Sequence, residues 1–392
     1  MNIDARIRRR RRGTETRRLV RDYEALSPVA HVEELAGRGP VVERLLDHLD
    51  PVFDGTLPPN AYVHGPFGAG KSAVVTALLA RMERVAAQSR EAIYTTTRAR
   101  STRLPWFAYV DLRETASEFA FYHRVLDTLV EETVPEHGIG TDEIRERLHE
   151  TLNGSRTGAV IAVDHVDAPA VADTDLDVVD LFAGLPSNVS WLAVGRDDPA
   201  ETALAGYTAR EIAIDRYRRR VLIDVLTTRA SSGLAPQAFD HALARRIAEW
   251  ADGNAHDALA ALFCAVTRAE QDGRDHLVAD DVDGAIADAP RSTVSLGTVF
   301  SLSANKRRVL RSLVDLDEAE RRSVTATTEA IAADPDVDLS SGTIKRYLYE
   351  LAEVGVVERV AASPRSGKGR APSRVELRFF PEVFRTLYDL HE

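Results

Sequence analysis

Eight consecutive residues, Gly65-Pro66-Phe67-Gly68-Ala69-Gly70-Lys71-Ser72, constrain this chain more than any other stretch. They fit the pattern G-x-x-x-x-G-K-[ST]. They come after a short apolar run, Ala61 to His64, and precede a run with helical character, Ala73 to Val85. Strand, glycine-rich loop and helix in that order predict a phosphate site. The three glycines let the backbone curl so that successive N–H groups converge on an anion, and the positive end of the adjoining helix reinforces them. Lys71 is expected at the β and γ phosphates, and the Ser72 hydroxyl at Mg²⁺. A nucleotide ligand, ATP or ADP with Mg²⁺, is expected from this pattern.

Beyond that loop, strand and helix signals alternate. Strands are expected at Trp106 to Val110, Ala159 to Val163 and Val189 to Val194, with helices at Pro40 to Leu49, Glu118 to Val134 and Thr141 to Asn153. Such alternation around a nucleotide loop predicts a parallel sheet covered on both faces. The second strand of that group ends in Asp164-His165-Val166-Asp167, and an aspartate there is the usual second anchor for the nucleotide's metal. After about Pro199 the strand signal is expected to stop. Helices take over at Asp215 to Ser231, Pro236 to Ala251, Ala255 to Gln271 and Ala279 to Ala287.

A linker, Pro290 to Gly297, opens the last segment. Three helices are expected there, the third over Ser340 to Val354 with a serine cap and Gly355 as its stop. Two strands joined by a basic, glycine- and proline-containing loop complete a winged helix-turn-helix. The expected divisions are a basic arm over 1–24, a nucleotide-binding base over 25–198, a helical lid over 199–293 and a winged helix over 294–392.

The net charge of −11 argues at first sight against a nucleic-acid partner. Its makeup tempers that: the chain has four lysines, Lys71, Lys306, Lys345 and Lys368, so arginine carries nearly all its positive charge. A pervasively acidic, lysine-poor surface suits a salty cytoplasm such as that of halophilic archaea. Local reversals of charge therefore matter most. One is the arm from Arg6 to Arg12, continued by Arg17, Arg18 and Arg21. The other is Arg359, Arg365, Lys368, Arg370, Arg374 and Arg378 set against Glu376. Cys264 is the only cysteine and excludes a disulfide framework. No apolar run reaches the length of a membrane span, and no secretory signal is read, so a cytoplasmic protein is expected.

A P-loop sheet domain, a helical lid and a winged helix together resemble the archaeal origin-recognition initiators. These are AAA+ proteins related to the eukaryotic origin recognition complex and the helicase-loading cell-division-cycle factor. The likeness rests on Val32-Glu33-Glu34-Leu35-Ala36-Gly37-Arg38, Leu57-Pro58-Pro59-Asn60, the phosphate loop and Tyr109-Val110-Asp111. It is carried further by Gly253-Asn254-Ala255-His256-Asp257-Ala258-Leu259 in the lid. The resemblance implies that Val32, Leu35, Arg196 and His256 line the nucleotide and that Asp164 is a metal ligand. Three positions depart from the family. His165 stands where the family has the glutamate that polarises water, Arg196 or Asp197 where a polar sensor is usual, and His256 where the lid has an arginine.

The expectation is thus an ATP-binding, double-stranded-DNA-binding initiator whose hydrolysis is weak or lost, with His165 or Asp167 as substitute bases if it turns over. Thr343, Lys345, Arg346 and Tyr347 on the third helix, and Arg365, Lys368, Arg370 and Arg374 around the wing, are the expected DNA contacts. A replicative helicase or a paralogous initiator are the further partners, no membrane is involved, and a monomer is expected off DNA. The rival readings are an active helicase-loading ATPase and a transcriptional or plasmid regulator of the same architecture.

Overall fold

The computed structural model describes residues 18–31, 35–95, 104–115, 117–130, 132–153, 157–167, 176–361 and 373–391. Val32, Arg365, Lys368, Arg370 and the arm up to Arg17 lie outside the described residues. The chain forms two compact units, His31–Arg216 and a second that combines Met1–Ala30 with Tyr217–Glu392.

The first unit is built on a five-stranded sheet of β1 (Ala61–His64), β2 (Trp106–Asp111), β3 (Ala159–Asp164), β4 (Val189–Val194) and β5 (Arg210–Ala213). Its order is β2-β3-β4-β1-β5, and every pairing is parallel. Strand periodicity sorts the side chains onto two faces. Ile161, Val163, Trp191 and Ala193 pack with Phe121, Tyr122 and Leu148 on one side. Val160, Ala162, Leu192 and Val194 pack with Leu45, Val74 and Leu78 on the other. Register aligns Asp111 with Asp164, and Asp164 with Val194, so the strand ends share one rim with the phosphate loop after β1. That rim is where open parallel sheets bind ligands.

β5 corrects the expectation that strands stop near Pro199. Its sequence, Arg-Glu-Ile-Ala, buries one residue of four, as an edge strand can, and so carries little apolar signal. It pairs with β1 from Ala61↔Arg210 to His64↔Ala213. The helix after the phosphate loop runs Lys71–Thr95, longer than expected. The Glu118 helix stops at Leu129, sooner than expected.

In the second unit the helices Arg219–Gly233, His241–Trp250, Ala255–Gln271 and Ala279–Ala287 precede Leu296–Phe300, Ala304–Asp315, Val324–Ala332 and Ser341–Glu353. β6 (Val357–Ala361) and β7 (Ser373–Leu377) form an antiparallel hairpin, and Pro381–His391 is a final helix. This is the element order of a winged helix-turn-helix with one added helix. One hydrophobic core runs through both halves, joining Leu262 and Phe263 to Phe380 and Phe384.

The chain's early segment also belongs to this unit. Val20 bridges to Leu234, and the buried Arg229 donates to the carbonyls of Ala25 (3.1 Å), Ser27 (3.2 Å) and Ala30 (2.7 Å). The basic-arm division expected at 24/25 thus falls inside a packed stretch. Among the described residues no helix is long and apolar enough to cross a membrane.

Candidate nucleotide and nucleic-acid sites

Gly65, Gly68 and Gly70 have φ of 149°, 73° and 78°, backbone that L side chains rarely adopt. A Cβ on Gly65 would lie 2.1 Å from the Ile214 carbonyl oxygen, so glycine is required there for space as well. Lys71 is buried, and its ammonium donates to the carbonyls of Gly65 at 2.7 Å and Pro66 at 3.1 Å. Burial, with help from the Arg196 charge, brings its pKa down to about 8 against the opposing pull of Asp164 and Asp167. Ala69 is buried inside the loop, and Leu35 packs at the edge of the core beneath it.

Asp164 closes β3 with its carboxylate buried. One oxygen accepts the Tyr109 hydroxyl at 2.7 Å and the other the His165 N–H at 2.7 Å. His165 turns the chain with a φ of 60°. Its Nδ1 lies 3.1 Å from Asp111 and 3.5 Å from Asp164. Asp111 is gripped by the Arg113 guanidinium at 2.6 to 3.1 Å. Burial alone would raise the Asp111 pKa, but hydrogen bonds and charge from His165 and Arg113 reverse that and hold it far below the usual range. Tyr109 is pushed well up, by burial first and the Asp164 charge second.

Beyond β4, the N–H of Arg196 donates to Asp167 at 2.7 Å. The Arg196 guanidinium lies 5.0 Å from the centre of the Phe67 ring, within cation–π range. The loop, Lys71, Asp164, Asp167 and Arg196 thus converge on one rim of the sheet. Among the described residues no three His, Cys, Asp or Glu side chains cluster as a metal cage.

His256 belongs to the other unit and is engaged within it. Its Nε2 accepts the Leu296 N–H at 3.1 Å and its Nδ1 lies 3.1 Å from Asp257. Asp257 also receives Asn254 (2.7 Å) and Thr293 (3.1 Å). This arrangement fixes the lid turn onto the linker beyond it.

On the Ser341–Glu353 helix, Ser340 caps the Thr343 N–H at 3.2 Å, while Ile344, Leu348 and Leu351 face the core. Lys345 and Arg346 are exposed on the opposite side. Arg346 lies over the half-buried Tyr347 ring at 5.3 Å. Near the wing, Arg374 is taken up by Glu376 at 2.5 Å, Arg378 by Ser292 at 3.0 Å, and Arg359 stacks over Tyr349 at 4.4 Å.

The same combination of features occurs in known proteins. The AAA ATPase domain model matches residues 34–194. The ORC1-type DNA replication protein 1 of Sulfolobus acidocaldarius is 26% identical over 312 residues, spanning 76% of this chain and 74% of that protein. The ORC1-type DNA replication protein 9 of Halobacterium salinarum is 25% identical over 350 residues, spanning 88% and 92%. The Aeropyrum pernix ORC1 protein, solved in complex with DNA, aligns over 95% of this chain and 97% of its own with a TM-score of 0.60 at 21% identity. In sequence and in fold the chain is similar to these archaeal ORC1-type replication proteins.

Two sets of contacts are made by residues whose bonding partners the sequence does not announce. Arg38 reaches the phosphate loop from the entry segment, donating to the Ala69 carbonyl and, at 2.9 Å, to that of Asp215. The Tyr109–Asp164 pair ties β2 to the end of β3, and Arg113 holds Asp111 at the end of β2. A polar residue on an otherwise apolar strand was the available signal for Tyr109.

Proposed function

We propose that this Orc1/Cdc6-type protein binds ATP or ADP with Mg²⁺, binds origin-type duplex DNA, and hydrolyses ATP slowly or not at all. One observation carries the nucleotide half: the glycine-shaped loop closes around a buried Lys71 beside Asp164. Ser72 and Asp164 are the oxygen donors that suit the metal, whose charge would offset that of the phosphates. Lys71 would trade two carbonyl contacts for phosphate oxygens.

The slow-turnover half rests on the residues just after Asp164. The position of the usual glutamate is His165, an imidazole drawn toward two carboxylates. The next acid, Asp167, is occupied by the Arg196 N–H. Losing a general base typically costs about 10²–10⁴-fold in rate. Nucleotide content and turnover of the purified protein, measured in high salt, test this. Retained nucleotide with little turnover, raised by His165→Glu, is expected. Turnover of an active AAA+ ATPase in the unaltered protein would favour the helicase-loader reading.

The DNA half is supported by the exposed Lys345 and Arg346 at the start of the Ser341–Glu353 helix, where a major-groove reader presents its side chains. Genome-wide binding centred on replication origins is expected, and clustering at promoters would favour a transcriptional regulator.

A further inference from the structure

We propose that Arg38 is a positioning residue for the phosphate cradle: it sets the direction of the Ala69–Gly70 peptide and so aims the Gly70 N–H at the bound phosphate. This deepens the nucleotide-binding reading and rests on it.

A loop whose N–H groups converge on an anion must turn its carbonyls outward, and buried carbonyls need donors. Gly65 and Pro66 give theirs to Lys71, and Pro66 also accepts the Ala69 N–H at 3.2 Å. Gly70 gives its carbonyl to the Val74 N–H at 3.0 Å in the first turn of the helix. The carbonyl of Ala69 is met by Arg38, which is 6% exposed.

The Ala69–Gly70 peptide is the one that most needs an external guide. Glycines flank Ala69 on both sides, each with positive φ, and glycine adopts either sign with little penalty. Because a peptide is planar and trans, its C=O and N–H point in opposite directions. A donor holding the Ala69 oxygen therefore fixes the Gly70 N–H on the far side. Were that peptide to rotate, a carbonyl dipole would face the phosphate in place of an N–H.

The same nitrogen of Arg38 also holds the Asp215 carbonyl. Next to it stands Ile214, whose oxygen occupies the space a Gly65 side chain would need and whose N–H donates to His64 at 2.7 Å. Arg38 thus joins the loop to the segment that floors it.

The test uses the full-length protein in high salt, comparing wild type with Arg38→Gln, Arg38→Lys and Lys71→Ala. ADP affinity, melting temperature without nucleotide, and amide hydrogen exchange of the peptide covering residues 65–72 are measured for each. Arg38→Gln should bind ADP about tenfold or more weakly, a charged hydrogen bond being lost. Its unliganded melting temperature should fall, since two buried carbonyls lose a charged donor, and saturating ADP should no longer protect the loop amides fully. Arg38→Lys should fall between the two, and it decides the matter if Arg38→Gln does not fold.

Wild-type ADP affinity in the glutamine variant would overturn the proposal. So would full protection of the residue 65–72 amides by saturating ADP in that variant, since an affinity loss with an unaltered cradle marks a general packing role. If wild type and Lys71→Ala bind ADP equally, or neither binds, the nucleotide reading itself has failed, and the Arg38 proposal falls with it.

Discussion

Asp167 accepts the backbone N–H of Arg196 at 2.7 Å, so one carboxylate fixes the turn from which an arginine reaches the ring of Phe67 in the phosphate loop. That relationship separates two roles for Asp167. As an anchor it needs only an acceptor oxygen; as a base it needs a charge. Asp167→Asn should keep nucleotide affinity and any turnover within about twofold of wild type, whereas Asp167→Ala should lose about 1 kcal/mol of binding, the value of an ordinary hydrogen bond. Abolished turnover in the asparagine variant would restore Asp167 as a base.

Lys71 should make nucleotide affinity depend on pH. With its pKa near 8 in the unliganded protein, the ammonium is charged at neutral pH and is lost as pH rises past that value. A phosphate ligand favours the charged form, so ADP affinity without Mg²⁺ should decline above about pH 8, by at most tenfold per pH unit. Calorimetric titration between about pH 7 and 9.5 measures it, and Lys71→Ala should bind too weakly for the trend to appear.

His48 supplies an acid-stability prediction. It lies on the Gly39–Leu49 helix, 2% exposed, with neither ring nitrogen hydrogen-bonded, and burial with the nearby Arg210 charge lowers its pKa to about 4. The folded state resists a proton that the unfolded chain accepts near pH 6.5. The unfolded state therefore binds more protons below about pH 6.5, and stability falls as pH drops from there toward about 4. The loss should reach about 2 kcal/mol by pH 5. Urea midpoints at about pH 7.5 and pH 5 should diverge in wild type and converge in His48→Phe.

The Ser341–Glu353 helix and the wing should separate in their effects on DNA. Lys345→Ala and Arg346→Ala should each reduce discrimination between target and random duplex by about 1–3 kcal/mol. Arg374, held by Glu376 at 2.5 Å, should matter less to non-specific affinity than Arg346, which is more exposed and meets Glu350 only at 3.5 Å. Salt-dependence of duplex binding by the full-length variants measures this, and an Arg374→Ala change that flattens the salt slope by a full unit would reverse the ranking.

How much was legible in the sequence depends on who bonds to whom. The phosphate loop could be read because its chemistry is local: three glycines, a lysine and a serine within eight residues carry it. Asp164 was visible as an acid ending an apolar strand. Arg38, in contrast, acts on two backbone carbonyls, 31 and 177 residues away. Carbonyls belong to every residue, so no side-chain pattern announces them. Asp167 is similar, its partner being a backbone N–H. β5 was hidden because three of its four residues face outward, and His256 because its acceptor role depends on where the Leu296 helix begins.

The clasp of Arg229 on Ala25, Ser27 and Ala30 spans 204, 202 and 199 residues of chain. During synthesis at about 5–20 residues per second, those carbonyls leave the ribosome roughly 10–40 s before the guanidinium that receives them. The whole sheet unit, His31–Arg216, is made in the interval and can close its own core first. The opening segment must wait through that time with Leu19, Val20 and Leu26 uncovered, which makes it a natural client for a chaperone.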